Sequence, residues 1–205
     1  MSATTVRHKP ANGLRRDDWI VETIGLNQAL TIIEHEHYAG GASNTATFRH
    51  GLFRREGWPL DVLGCALWIP PTKGAALATF PEDWQAVLSL SRLAIEPSVP
   101  TNGASFFLSR SEKLIRLDPR WRCLVTYADE WQGHTGAIYL AAGWEYMGLT
   151  KPERTYVRDG VLVARKAGPK TRTHAEMLAL GAECVGSFAK HKFRKVLAGQ
   201  EGKPE

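Results

Sequence analysis

Cysteine is scarce in this 205-residue chain: Cys65, Cys123 and Cys184 are odd in number and far apart, which excludes a disulfide framework and a cysteine-rich zinc site. Reduced, mostly buried thiols in a cytoplasmic protein are expected. No apolar run approaches the roughly 18 residues that a membrane-spanning helix requires, so no membrane partner is expected either. Residues 1–16 lack the apolar stretch of a signal peptide and read as a flexible leader rather than an export signal. A glycine-rich phosphate loop ending in Lys-Ser/Thr is missing, which removes support for nucleotide hydrolysis, and no Gly-x-Ser-x-Gly nucleophile elbow occurs. Internal repeats and low-complexity segments are absent.

What is present is ordinary globular material. Hydrophobic residues make up 43% and charged residues 23% of the chain, enough for one substantial domain with its own core. That domain is expected over residues 17–186, followed by a basic tail at 187–205. The net charge of +5 is uneven, with twelve Lys/Arg against six Asp/Glu from Lys151 onward and fourteen against fifteen before it. Lys166, Lys170 and Arg172, then Lys190, Lys192, Arg194 and Lys195, have the character of a phosphate-neutralising surface. The same residues serve equally as a solvated face.

The apolar periodicity predicts strands over Trp19–Ile24, Thr45–His50, Val62–Ile69, Ser89–Ile95, Cys123–Tyr127 and Trp144–Leu149. Helices are expected over Leu26–His35, Asn102–Leu117, His134–Ala142 and Thr173–Cys184, with a short helix or turn over Glu82–Leu88. Tyr38–Asn44 reads as a loop. Asp159-Gly160 between two β-rich stretches marks a hairpin. The order implies an α/β or α+β fold with a mixed central sheet flanked by helices, and Leu90–Leu149 has the punctuation of consecutive right-handed crossovers.

Chemistry concentrates at a few positions. Asp129 follows the apolar run Leu124–Ala128, where a buried strand surfaces and delivers its last side chain to a fixed point; a helix cap is the alternative role. His35, His37 and Tyr38 close the first helix, where imidazole is a metal donor, a base, or simply a cation favoured by the helix dipole. His37 and Tyr38 with Asp129 form a nitrogen-and-oxygen donor set suited to iron or manganese. His134 and Tyr139 lie close enough in sequence to line one cleft, although Tyr139 also suits packing. Arg92 on a strand, with Asn102 and Ser105 opening the next helix among small residues, suits a phosphate or donor group; an ordinary cap and a surface arginine are the alternative.

The blocks His37-Tyr38, Phe48-Arg49-His50-Gly51-Leu52-Phe53, Leu90-Ser91-Arg92-Leu93, Ser105-Phe106-Phe107-Leu108-Ser109 and Thr126-Tyr127-Ala128-Asp129 through Gly148 are familiar in this order. Together they resemble the Mom family of phage-encoded DNA modification proteins, over about His37 to Thr150. The resemblance implies a GNAT-like acyltransferase fold and a transferase that converts adenine N6 in duplex DNA to its carbamoylmethyl (acetamido) form, protecting phage DNA from restriction in the host cytoplasm. It also implies iron, with His37 and Tyr38 matching the family's His-Tyr pair, Asp129 its acidic partner and Tyr139 its downstream tyrosine.

One departure stands out. The Gln/Arg-x-x-Gly-x-Gly/Ala turn with which GNAT enzymes grip the CoA pyrophosphate is not spelled by Val99–Ser105. The group donor is therefore open between acetyl-CoA and another activated two-carbon or glycyl compound, small or carrier-bound. Trp58, Trp68, Trp131 and Trp144 are candidates for stacking on a target base. Two alternatives stand beside the leading one: a CoA-dependent GNAT N-acetyltransferase of a small amine or protein, and a non-enzymatic DNA-binding protein.

Overall fold

The computed structural model describes residues 13–37, 45–167 and 170–197. The chain forms two compact units, one from Met1–Thr126, Ala137–Tyr146 and Phe193–Glu205, the other from Tyr127–Gly136 and Met147–Lys192. No helix among the described residues is long and apolar enough to cross a membrane.

In chain order, β1 (Trp19–Thr23) leads through α1 (Leu26–Glu36) to β2 (Phe48–Arg54), β3 (Val62–Ile69), the short α2 (Lys73–Leu77) and β4 (Val87–Ile95). Next come α3 (Gly103–Ile115), β5 (Cys123–Asp129), α4 (Ala137–Ala141) and β6 (Glu145–Leu149). The chain continues through β7 (Glu153–Arg158), β8 (Val161–Leu162), β9 (Lys166–Ala167), β10 (Lys170–Thr171), α5 (His174–Ala179) and β11 (Glu183–Phe188) to β12 (Lys190–Val196).

The large sheet has the order β1-β2-β3-β4-β5-β12-β6. Strands β1 to β4 pair antiparallel in sequence, and β4 pairs parallel with β5 across the α3 crossover. The expected mixed sheet with flanking helices is therefore present, and β12 stands between β5 and β6. Lys190–Val196, within the stretch expected as a basic tail, forms this strand. Its cationic side chains disguised the alternation: Phe193 is buried, and Lys195, two residues on and on the same face, is paired inside the protein.

The second unit holds a sheet of order β11-β7-β8 and the small β9–β10 ribbon. The Asp159-Gly160 hairpin is present, with φ of 52° and 76° at the two turn residues, the left-handed pair that matches strand twist. Met177 of α5 packs with Tyr156 and Ala182, and the Tyr156 hydroxyl lies 2.8 Å from His174 Nδ1. The helix expected over Thr173–Cys184 ends at Ala179, because Gly181 takes a φ of 74° and the residues after it extend into β11.

In the first unit α1 covers one sheet face, burying Ile24, Ala29, Ile32 and Ile33 against Phe53, Cys65, Leu67 and Ala94. Burial pushes the Cys65 thiol up to about 12, so it is an inert core residue. Helix α3 covers the other face with Phe107, Leu108 and Ile115. Gly64 of β3 is needed there, since a Cβ would come within 3.3 Å of both Leu52 and Phe107.

A buried polar network crosses this second face. Trp68 Nε1 donates to Ser111 Oγ at 2.8 Å, and that oxygen lies 2.6 Å from His50 Nδ1. One residue along α3, Glu112 accepts from Trp144 Nε1 at 2.8 Å and from Lys195 Nζ at 2.6 Å, while Lys195 also donates to the Ala142 carbonyl at 2.7 Å. The Trp68 and Trp144 rings stack at 6.3 Å between centroids.

Two outcomes follow from this network. Burial lowers the His50 pKa from 6.5 to about 4, so the unfolded chain binds a proton that the folded one refuses between those values. Unfolding free energy should be full above pH 6.5 and fall on acidification toward pH 4 by up to about 3 kcal/mol, checked by urea titrations across that range, with the slope reduced in His50→Gln. Lys195→Met should cost about 3–5 kcal/mol by stranding the Glu112 carboxylate, and adding Glu112→Gln should recover most of that loss in the same assay.

Candidate active site

Asp129 closes β5 with its side chain in fixed use. Its Oδ1 accepts from the Trp131 N–H at 3.1 Å, capping a short 3-10 turn over Glu130–Gln132, and its Oδ2 lies 3.2 Å from Lys190 Nζ. The carboxylate caps this turn rather than a helix beginning near Gly133, and it is about 14% exposed. Beside it Glu130 accepts from the Ala189 N–H at 3.1 Å and lies 3.7 Å from His191 Nε2. Burial raises the Tyr127 phenol above its ordinary pKa, keeping it protonated at neutral pH. Sequence reasoning missed Lys190, Glu130 and His191 as neighbours of Asp129, because the contacts depend on where the β11–β12 connection falls.

His37 is the C-cap residue of α1, with its N–H on the Ile33 carbonyl at 3.0 Å. It belongs to the first unit and Asp129 to the second. Tyr38 lies outside the described residues, as does the loop expected over Tyr38–Asn44. Tyr139 is buried in α4, its ring 5.8 Å from that of Trp144 and 5.2 Å from that of Phe193.

The strand carrying Arg92 is irregular. Parallel pairing of β4 with β5 covers Val87–Ser89 against Cys123–Val125. Beyond it, the register with β3 jumps from Trp68↔Leu90 to Leu67↔Arg92, so Ser91 is the extra residue of a bulge. Bulges re-aim the side chains that follow them. Ser91 Oγ donates to the Leu67 carbonyl at 3.2 Å, and Arg92 Nη1 donates to the Ser91 carbonyl at 2.7 Å.

At the start of α3 the expected phosphate cradle is occupied by protein. Asn102 Oδ1 accepts the Leu14 N–H at 2.6 Å, and Ser105 Oγ donates to the Asn102 carbonyl at 3.1 Å. A Cβ on Gly103 would lie 2.2 Å from Val99 Cγ1, so the small residue there admits Val99 rather than a ligand.

Of the expected DNA contacts, Lys166 is exposed on β9, Lys170 pairs with Glu176 at 2.6 Å, and Arg172 Nη1 donates to the Ala164 carbonyl at 3.1 Å. Glu176 also caps α5 through Thr173, and with Lys170 these bonds hold its carboxyl down at about 2. Among the stacking candidates, Trp68 and Trp144 are buried, whereas Trp58 is 47% exposed with Nε1 on Glu22 at 2.6 Å. A groove of about 1190 Å³ runs beside α1 and β3, lined by His35, Arg54, Glu56, Asp61 and Glu96 among others.

The described residues do not by themselves supply an iron centre. Both Asp129 oxygens are engaged, and no group of three or more His, Cys, Asp or Glu able to hold a metal occurs among them.

The antiparallel run β1–β4 joined by α3 to a parallel β5 defines an acetyltransferase-type, GNAT-like fold. The ribosomal-protein-S18-alanine N-acetyltransferase from Escherichia coli is similar over 90% of this chain and 99% of its own, at 10% identity and a TM-score of 0.51. The spermidine/spermine N-acetyltransferase from Vibrio cholerae is similar over 88% and 94%, at 7% identity and a TM-score of 0.53. At such identities the likeness establishes the fold alone. The chain belongs to the Mom protein family, whose model matches residues 18–198. Over 132 residues, 62% of this chain, it is 29% identical to the methylcarbamoylase Mom of Escherichia phage Mu; the match spans about half of that relative, 53% of its length.

Asp129→Asn should keep the Trp131 cap and lose only a part-exposed ion pair, leaving thermal stability within about 1 kcal/mol of the parent by calorimetry. Asp129→Ala loses the cap as well and should cost about 1 kcal/mol more.

Proposed function

We propose that this chain is a transferase that modifies adenine N6 in double-stranded DNA to the carbamoylmethyl form. The observation that carries this reading is membership of the Mom family across residues 18–198, supported by the likeness to a methylcarbamoylase. A GNAT-like scaffold is consistent with transfer of a small group to a nitrogen.

The adenine amino group is a weak nucleophile, since its lone pair is delocalised into the ring. Transfer forms the N6–carbon bond while the bond from the donor's methylene carbon to its leaving group breaks, the leaving group departing with the electron pair. The N6 proton must go to a base. Asp129 is the carboxylate proposed for it, oriented by the Trp131 N–H and Lys190. His37, Tyr38 and Tyr139 are the further residues proposed to take part in the reaction. Arg92 is proposed to meet the donor, an activated two-carbon or glycyl compound.

The target base must leave the stack at a cost of a few kcal/mol, which phosphate contacts offset. Lys166, Lys170 and Arg172 are proposed for that role. Iron is carried into this proposal by the family resemblance alone, and metal analysis of the purified protein tests it.

Nucleosides digested from the DNA of expressing cells should contain modified adenine by mass spectrometry, and Asp129→Asn, folded, should reduce it at least a hundredfold. Finding only unmodified adenine with the parent protein would overturn the assignment.

A further inference from the structure

We propose that Arg49 and Arg92 together form a receptor for a phosphate group on the α1 face of the sheet. The pairing registers Arg49↔Leu67 and Leu67↔Arg92 set the two arginines in one cross-strand row, on either side of a fully buried leucine. Directly paired residues share a sheet face. Two strand spacings separate their Cα atoms, roughly 10 Å, a gap that two guanidinium arms close on one tetrahedral anion.

The orphan donor at this place is the second observation. Arg49 Nη1 donates to the Ala46 carbonyl at 3.2 Å, which pins the arm, but Arg49 Nε is buried without any hydrogen-bond partner. No ion pair to Arg49 occurs among the described residues. A buried N–H of a charged group without an acceptor is an unmet cost, and an oxyanion meets it. The register shift at Ser91 brings Arg92 into the row, and its Nη1 donates to the Ser91 carbonyl. Leu67 between them belongs to the apolar cluster that includes Cys65 of the sheet and Ile33 of α1.

Two sources present this chemistry: a phosphodiester of the DNA beside the target base, and a phosphate of the group donor. The sources rest on the function proposed above; the receptor itself does not. Inorganic phosphate, a short DNA duplex and coenzyme A are titrated into the full chain by calorimetry, with Arg49→Gln and Arg49→Lys checked for folding by circular dichroism. Arg49→Gln should weaken inorganic phosphate at least tenfold, and Arg49→Lys should recover part of it, restoring charge but not the fork.

If the DNA backbone is the source, the duplex affinity falls with it and the slope of log affinity against log salt drops by about one. If the donor is the source, coenzyme A weakens and that slope stays. A parent protein that binds none of the three, or a folded Arg49→Gln that binds all three like the parent, overturns the proposal. Unmodified adenine with intact phosphate binding would sink the function above and leave the receptor standing.

Discussion

The carboxylate of Glu112 is the constraint on which the α3 face of the first unit depends. It is buried, and it satisfies both the Trp144 indole and the Lys195 ammonium. Three stretches far apart in sequence, α3, the residues after α4 and β12, are therefore held in a single arrangement. A buried charge is tolerable only when paired and hydrogen-bonded, so each partner must be present for the others to be stable. Ser111, next to it on the helix, does the same for His50 and Trp68 of β2 and β3. Side by side, the two residues fasten α3 to β2 and β3 on one side of the sheet order and to β12 on the other.

The opposite face is built differently. Under α1 it is almost wholly apolar, and the polar groups it carries, Arg49 and Arg92, come from the strands rather than from the helix. The bulge at Ser91 gives β4 two characters: regular parallel pairing with β5 over its first residues, and a displaced register over the rest. One face is thus closed by satisfied hydrogen bonds, and the other holds a donor without an acceptor.

Much of this was legible in the residues. Val62–Ile69 was read with the boundaries it has, since a continuous apolar run flanked by a turn and a proline pair has few other solutions. The α1 and α3 helices and the Asp159-Gly160 turn were legible for similar reasons. β12 was not, because Lys190, Lys192, Arg194 and Lys195 mask a strand whose apolar content is mainly Phe193. The Glu112–Lys195 pair was hidden as well: a carboxylate inside a helix reads as solvent-facing until the strand opposite is known. At the candidate site, Asp129 was recognisable from its place at the end of an apolar run, whereas Lys190 and Glu130 beside it depend on long-range pairing. The row Arg49–Leu67–Arg92 depends on a bulge, and a bulge shifts register without leaving a mark in hydrophobic periodicity.

The position of β12 has a consequence for biosynthesis. The strand lying between β5 and β6 is made after both of them. Until Val196 has emerged, β5 has an open flank and the Glu112 carboxylate has no ammonium to meet. The nascent protein therefore carries a half-finished sheet from the emergence of β5 until that of β12, and a ribosome that stalls in this interval releases a polypeptide with a bare strand edge, which invites aggregation and degradation.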